Sequence, residues 1–262
     1  MQDSNPKDSQ SQATTQDNFA AALRGEVPLR VGDVIQRSWD ITLRALPIML
    51  LGMVILFLAN WVISSISAQF FPVEEETFNL VNISGQSILS GLLIAPFTAI
   101  MTLMGLQNAR DKKPTVATIT TALSYAPKMI AVAAILMTLM AIPGVLLFLL
   151  FGSSGTFFAL FVLIAIYLQL SFTLATPLIL ERQLSVSRAI FASVLILNKQ
   201  MLPLIAIYAI FTIIVIISAL PLLLGLIFTI PMSFNVIGVI YNRLIGVPEE
   251  TTTIETTVTE ES

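Results

Sequence analysis

Six long apolar stretches separated by short polar ones dominate the chain: Ala45 to Ser67, Ile83 to Gln107, Met129 to Phe151, Phe157 to Leu180, Met201 to Ala219 and Leu222 to Tyr241. About 20 residues of helix cross a hydrocarbon core, so each stretch predicts a transmembrane helix. No charged residue separates the last two, but a single helix of roughly 40 residues would overshoot any bilayer. Pro221 stands at the natural turn, and the final pair reads as a tight hairpin. Ahead of the first hairpin, from Val31 to Arg44, the residues Val34, Ile35, Trp39, Thr42 and Leu43 fall on one side of a helix and Arg37, Asp40 and Arg44 on another. Such a helix is expected in the membrane interface, with Trp39 at headgroup depth. Ser185 to Lys199 reads likewise, with Ile190, Val194 and Leu197 set against Arg188, Ser193 and Lys199. The predicted fold class is all-α: a polytopic membrane protein of six transmembrane helices in three hairpins, each preceded by an amphipathic interfacial helix.

The pattern repeats. Shifting the chain by 155 residues superposes Val31 on Val186, Ile35 on Ile190, Ser38 on Ser193, Ile41 on Ile196 and Arg44 on Lys199. The helices closing these two units also agree, since Gly91 through Pro96 and Thr98 to Arg110 runs like Gly225 through Pro231 and Ser233 to Arg243. The middle unit, Thr115 to Arg182, matches more loosely through Ile119, Lys128 and Pro177. Units with an even number of crossings lie parallel to one another.

Composition sharpens this reading. With 56% hydrophobic and 11% charged residues, the chain has too few charges to coat a water-soluble surface. A net charge of −3 offers no basic field for nucleic acid. Cysteine and histidine are both absent, which excludes thiol chemistry, disulfides and the usual zinc or haem ligands. Residues 1–27, rich in Gln, Ser, Asp and Thr, predict a disordered tail. They lack the basic start and adjoining apolar run of a cleaved signal peptide. Residues 28–247 form the membrane domain, and residues 248–262 a second disordered tail, acidic and rich in Thr.

All 13 Lys and Arg fall on one side of the six-helix arrangement. They lie before the first helix (Lys7, Arg24, Arg30, Arg37, Arg44), between the second and third (Arg110, Lys112, Lys113, Lys128), between the fourth and fifth (Arg182, Arg188, Lys199) and after the sixth (Arg243). The opposite loops carry only Glu74, Glu75 and Glu76, read as a solvated loop. Positive residues near membrane segments stay in the cytoplasm, so both termini are expected there.

No Asp, Glu, Lys or Arg enters a predicted span, which argues against a proton-coupled pump. Ser87, Gly91, Ala95 and Ala99, four residues apart, form a stripe suited to close helix packing. Pro96, Pro143, Pro177 and Pro231 are read as tolerated kinks. Gln169, Thr173 and Thr176, with Thr98, Ser233 and Asn235 from the equivalent helices, form a candidate polar seam whose first use is interhelical hydrogen bonding. Catalysis would need a base beside a nucleophile, a metal cluster or paired carboxylates, and the pattern offers none. The Gly152 to Gly155 loop has no following Lys and is no phosphate cradle. No cofactor and no metal is expected.

Three groups of residues carry a family resemblance: Ser90-Gly91-Leu92-Leu93, the stretch from Ala126-Pro127-Lys128 through Ile142-Pro143-Gly144, and Ala175-Thr176-Pro177 followed by Glu181-Arg182. With the Ser185 to Lys199 helix, they make the chain resemble the bacterial YciC-type six-pass inner-membrane proteins over most of Val31 to Val247. More distantly it resembles the membrane domain attached to some glycerophosphoryl diester phosphodiesterases. The resemblance implies a multi-pass bacterial inner-membrane protein and brings no catalytic residues. Those phosphodiesterases hold their chemistry in a separate soluble domain with His and acidic metal ligands, which this His-free chain lacks. The expectation is a non-enzymatic protein of envelope or lipid homeostasis acting by binding, with membrane lipids and another membrane protein or a second copy as partners. Arg37, Arg44, Lys128, Arg188 and Lys199 are the candidate headgroup contacts. The alternative is a channel or permease for a small neutral or lipid-like solute, lined by Gln169, Thr173 and Asn235.

Overall fold

A computed structural model describes residues 18–72, 79–220 and 222–246. Both outer tails, the Glu74 to Glu76 loop and the turn at Pro221 lie outside the described residues. Ten helices are found among those described: α1 (Phe19–Arg24), α2 (Val31–Phe70), α3 (Leu80–Ala109), α4 (Val116–Ser124), α5 (Ala126–Phe151), α6 (Gly155–Ser171), α7 (Ala175–Arg182), α8 (Val186–Lys199), α9 (Met201–Ala219) and α10 (Leu226–Leu244). Local chemistry sets their starts. Asn79 Oδ1 caps α3 by accepting from the backbone N–H groups of Val81 and Asn82, and Ser154 Oγ caps α6 by accepting from Phe157 N–H.

Five stretches are long and apolar enough to cross a membrane: α2, residues 81–109 of α3, α5, α6 together with α7, and α9. None of the most apolar 18 residues of α5 is buried by the rest of the chain. Phe57, Trp61, Leu149, Leu150, Leu163 and Ile213 are likewise exposed. Water does not tolerate such a continuous apolar exterior, whereas lipid solvates it. The chain is therefore a multi-pass integral membrane protein.

The sixth predicted span behaves differently. Helix α10 carries Pro231, Asn235, Asn242 and Arg243, which lower its hydropathy below that of a simple span, and it is not among the five. It is also the most enclosed of the six expected spans, with Met232, Asn235, Ile240, Tyr241 and Leu244 fully buried. Thr229 and Asn235 face protein instead of lipid, and Arg243 is exposed at the end of the helix. The most extensive contacts are α10 with α3, α2 with α3 and α10 with α2, so these three helices form the core, with α5 against α3 and α6 against α5.

Close backbone approach makes this core possible. A methyl group at Gly105 would overlap the carbonyl oxygen of Phe234, and one at Gly238 would overlap the carbonyl oxygen of Gly105. The predicted stripe on α3 has another use. Gly91 meets the flexible end of Met137, Ala95 lines a cavity, Ser87 is exposed, and only Ala99 is fully buried. Beside the glycine contact runs a buried polar chain. Asn108 Nδ2 donates to Asn235 Oδ1 at 3.2 Å, Asn235 Nδ2 donates to Thr42 Oγ1 at 2.9 Å, and Thr42 Oγ1 donates to the Ser38 carbonyl at 2.7 Å.

Five further expectations are corrected. The interfacial helix predicted from Val31 to Arg44 does not end there, because α2 runs unbroken for 40 residues with Pro47 inside it. Its buried face, Val34, Ser38, Ile41, Thr42, Met49 and Gly52, crosses that boundary, and a break would split one packing surface. Trp39 accordingly sits in an apolar groove with Ile210, Ile214 and Met232. In the other two units the breaks do occur, at Tyr125 and Gln200, with Pro127 and Pro203 in the first turns that follow. The fourth predicted span divides at Phe172 to Leu174 into α6 and α7. Pro177, three residues into α7, begins a helix instead of kinking one, since its missing N–H falls where no intrahelical partner exists. Ser193, assigned to a polar face, is fully buried and repairs that division: its hydroxyl donates to the Ser171 carbonyl at 2.7 Å and accepts from Leu174 N–H at 3.1 Å. Its equivalent Ser38 is equally buried.

The last correction concerns the first tail. Residues 18–27 fold back: Asn18 N–H donates to the Ile245 carbonyl, Lys199 Nζ donates to the Leu23 carbonyl, and Ala22 is buried. One face of α1 is apolar enough to dock. At the same end Arg110 and Glu181 form a buried ion pair at 2.7 Å, joining α3 to α7 with side chains 10% and 13% exposed.

Glycine packing yields a contrast measurable by thermal unfolding in detergent. Gly238→Ala is expected to destabilise by about 1–3 kcal/mol through overpacking against rigid backbone, whereas Gly91→Ala, facing only the end of Met137, stays near neutral. Asn235→Leu, which strands Asn108 and Thr42, is expected to cost about 1–3 kcal/mol.

Candidate functional site

Besides the Trp39 groove, two concave features that carry several polar or charged side chains sit on this frame. The larger, of about 490 Å³, lies between α2 and the loop that follows α3. Ile41, Ala45, Pro47 and Ile48 form its apolar floor, and Arg44, Lys112 and Lys113 supply positive charge at its rim. Pro47 has no N–H to bond the Leu43 carbonyl one turn back, which loosens the helix at that point. On the opposite wall, α3 ends at Arg110 and Asp111 takes a left-handed conformation at φ 58°, turning the chain so that Lys112 and Lys113 face outward.

Asp111 also clamps α2. Arg37 and Arg44 lie seven residues apart, two helical turns, and so project from one side. Arg37 Nη2 reaches Asp111 Oδ2, and Arg44 Nη2 reaches Asp111 Oδ1 at 2.7 Å. Partial burial pushes the Asp111 carboxyl up, but hydrogen bonds and charge from both arginines outweigh it and hold the group below the ordinary carboxylate range. A similar exposed pair at the far edge joins Arg24 to Glu26, whose hydrogen bond with Arg24 lowers the glutamate.

The five predicted headgroup residues thus separate. Arg37 and Arg44 meet through Asp111. Lys128 stands over the Tyr125 ring at 5.4 Å, at the start of α5. Lys199 turns inward to the Leu23 carbonyl, and Arg188 projects from α8 without an ion pair among the described residues. Lys112 and Lys113 join the site although neither lies on an amphipathic helix, because a loop has no periodicity that assigns its residues a face. Their placement next to a turn-forming Asp directly after a span was the available signal.

The smaller feature, of about 230 Å³, lies among α3, α5, α6, α7 and α9. It brings together Thr98, Gln169, Thr173 and Thr176 of the predicted seam and adds Thr102 and Tyr208. Asn235 and Ser233 are not part of it. Asn235 is committed to Asn108 and Thr42 in the core, and the Ser233 hydroxyl donates to the Ile230 carbonyl. The seam is two separate polar groups, one packed and one lining a space. Among the described residues no group of three or more carboxylates comes together that could hold a metal ion.

Comparison of the chain with protein-family models, with curated proteins and with solved structures returns no match. The groove and the cavity therefore carry the functional argument. A basic rim over an apolar floor suits an amphiphile with a negative head, while an uncharged hydroxyl-lined cavity suits hydrogen bonding without ion pairing.

The clamp should respond to acid. Because the folded-state pKa of Asp111 is depressed, its contribution is fully present above the ordinary carboxylate value of about 4 and is lost as pH falls through the depressed value. Hydrogen exchange of residues 110–116 is expected to be unchanged from neutral pH down to about 5, after correction for intrinsic rates, and to accelerate only once the pH falls below the ordinary carboxylate value. Asp111→Asn should show the fast behaviour at every pH.

Proposed function

We propose that this chain is a six-pass bacterial inner-membrane protein of the YciC type, with both termini cytoplasmic. It acts without catalysis, by holding anionic lipid at the groove beneath α2. One observation carries the reading: Arg44, Lys112 and Lys113 rim a space whose floor is apolar. A lipid phosphate at that rim places its acyl chain along Ile41, Ala45 and Ile48, so charge and hydrophobic burial act together. Asp111 is then an internal competitor, occupying Arg37 and Arg44 until a lipid phosphate displaces it. Such a protein contributes to envelope or lipid homeostasis through what it retains, including another membrane protein or a second copy. A permease reading is favoured by the polar cavity but weakened by the separation of Asn235 from Gln169, which leaves no continuous polar path.

Lipid retention in nanodiscs of mixed phosphatidylglycerol and phosphatidylethanolamine, read by native mass spectrometry, tests the groove. Each rim charge is worth about 1 kcal/mol near an anionic surface, so Arg44→Gln, Lys112→Gln and Lys113→Gln combined should weaken phosphatidylglycerol retention by roughly a hundredfold. Asp111→Asn should strengthen it, and Arg188→Gln should change little. Equal retention in the triple variant rejects the reading.

The cysteine-free sequence permits a clean topology test. Single cysteines at Ser9 and Ser262 are expected to be protected together from an impermeant thiol reagent in intact cells, while Ser153→Cys is labelled. Labelling of one terminus alone would mean an odd number of crossings and would remove α10 as a span.

A further inference from the structure

The 230 Å³ cavity has a chemistry that the anionic-lipid groove does not share. No charged side chain lines it; its polar lining is Thr98, Thr102, Gln169, Thr173, Thr176 and Tyr208. Several hydroxyl protons are already spent on the helices that carry them. Thr98 donates to the Ala95 carbonyl, Thr102 to the Thr98 carbonyl and Thr173 to the Gln169 carbonyl, at 2.8, 3.0 and 3.0 Å. The oxygens of Thr98 and Thr102 remain as acceptors toward the space, while the Thr173 side chain also bonds the Tyr208 hydroxyl.

Gln169 is the unusual member. Gln169 lies two residues before the end of α6, beside the break at Phe172 to Leu174. There its side chain is exposed at the edge of the cavity, and its amide makes no hydrogen bond to another described residue. An amide left without a partner among apolar side chains is unfavourable, so a partner that enters the cavity is favoured. An anionic head is disfavoured, because it would surrender its hydration with no Lys or Arg to receive it. A plain acyl chain is disfavoured because it leaves the amide unsatisfied. A water occupies about 30 Å³, so the space accepts a three-carbon polyol head with its hydroxyl groups bonded.

We propose that this cavity is a binding site for an uncharged hydroxyl-bearing group of glycerol size, entering sideways from the membrane as the head of a diacylglycerol or from water as a free polyol. Gln169 bonds the hydroxyl and ester groups, and the Thr98 and Thr102 oxygens accept the hydroxyl protons. The site is independent of the groove, since no residue lines both.

The test uses the full chain in phosphatidylcholine nanodiscs with a photoactivatable dioleoylglycerol bearing a diazirine close to the glycerol. The expected result is saturable labelling of the peptides around Thr98 to Thr102 and Gln169 to Thr176. Excess unlabelled dioleoylglycerol should compete it away and phosphatidylglycerol should not. Competition by glycerol alone would assign the same site to free polyols. Labelling should fall at least tenfold in Gln169→Leu and in Thr173→Val, each used only if its melting temperature matches the parent; Thr176→Val replaces a variant that does not fold. Labelling should persist when Arg44, Lys112 and Lys113 are all changed to Gln, which separates this site from the groove. Non-saturable labelling, equal competition by phosphatidylglycerol, or undiminished labelling in all folded cavity variants would overturn the proposal.

Discussion

The side chain of Asn235 holds the three central helices in one register. Its carbonyl accepts from Asn108 on α3 and its amide donates to Thr42 on α2, so a single residue of α10 addresses both neighbours. These groups are buried within the protein, so no water competes for them, and any sliding of one helix past another would leave an amide unpaired. The contact of Gly105 with Gly238 is what lets the amides meet, because larger residues there would hold α3 and α10 apart. Small residues supply proximity and polar residues supply register. This division also explains why the most polar of the expected spans lies innermost: its asparagines need protein partners that lipid cannot offer.

Irregular backbone elsewhere creates the two concave features. Proline within α2 and the left-handed turn at Asp111 open the groove. The division between α6 and α7 lies beside Phe172 and Thr173 in the cavity wall, and the Ser193 hydroxyl satisfies backbone groups freed there. Each interruption falls where side chains of neighbouring helices cover it, as non-helical backbone at membrane depth requires.

Ion pairs at the basic end differ in kind. The Arg37, Asp111 and Arg44 group is partly exposed and exchangeable, and pairs of this sort contribute little to stability. Arg110 with Glu181 is mostly buried, so removing one partner would strand a charge at considerable cost. The buried pair fixes how α7 meets α3, and the exposed group leaves its arginines free to change partners.

Much of this architecture was legible from residue order alone. Long apolar runs specify helices in a membrane because both backbone satisfaction and lipid solvation act locally, on one segment at a time. Amphipathic stretches ahead of Pro127 and Pro203 marked real breaks for the same local reason. What tertiary structure decided is everything that depends on rotation of one helix about its axis against another. That rotation sends Asn235 into the core and Thr98, Gln169 and Thr173 to a cavity, although all four read alike as polar residues in apolar helices. It likewise carries α2 unbroken through Arg44, because the face buried on α3 and α10 is continuous there. Helix formation is settled within a few residues of sequence, whereas the choice of partner for a buried polar group is settled only when distant segments pack.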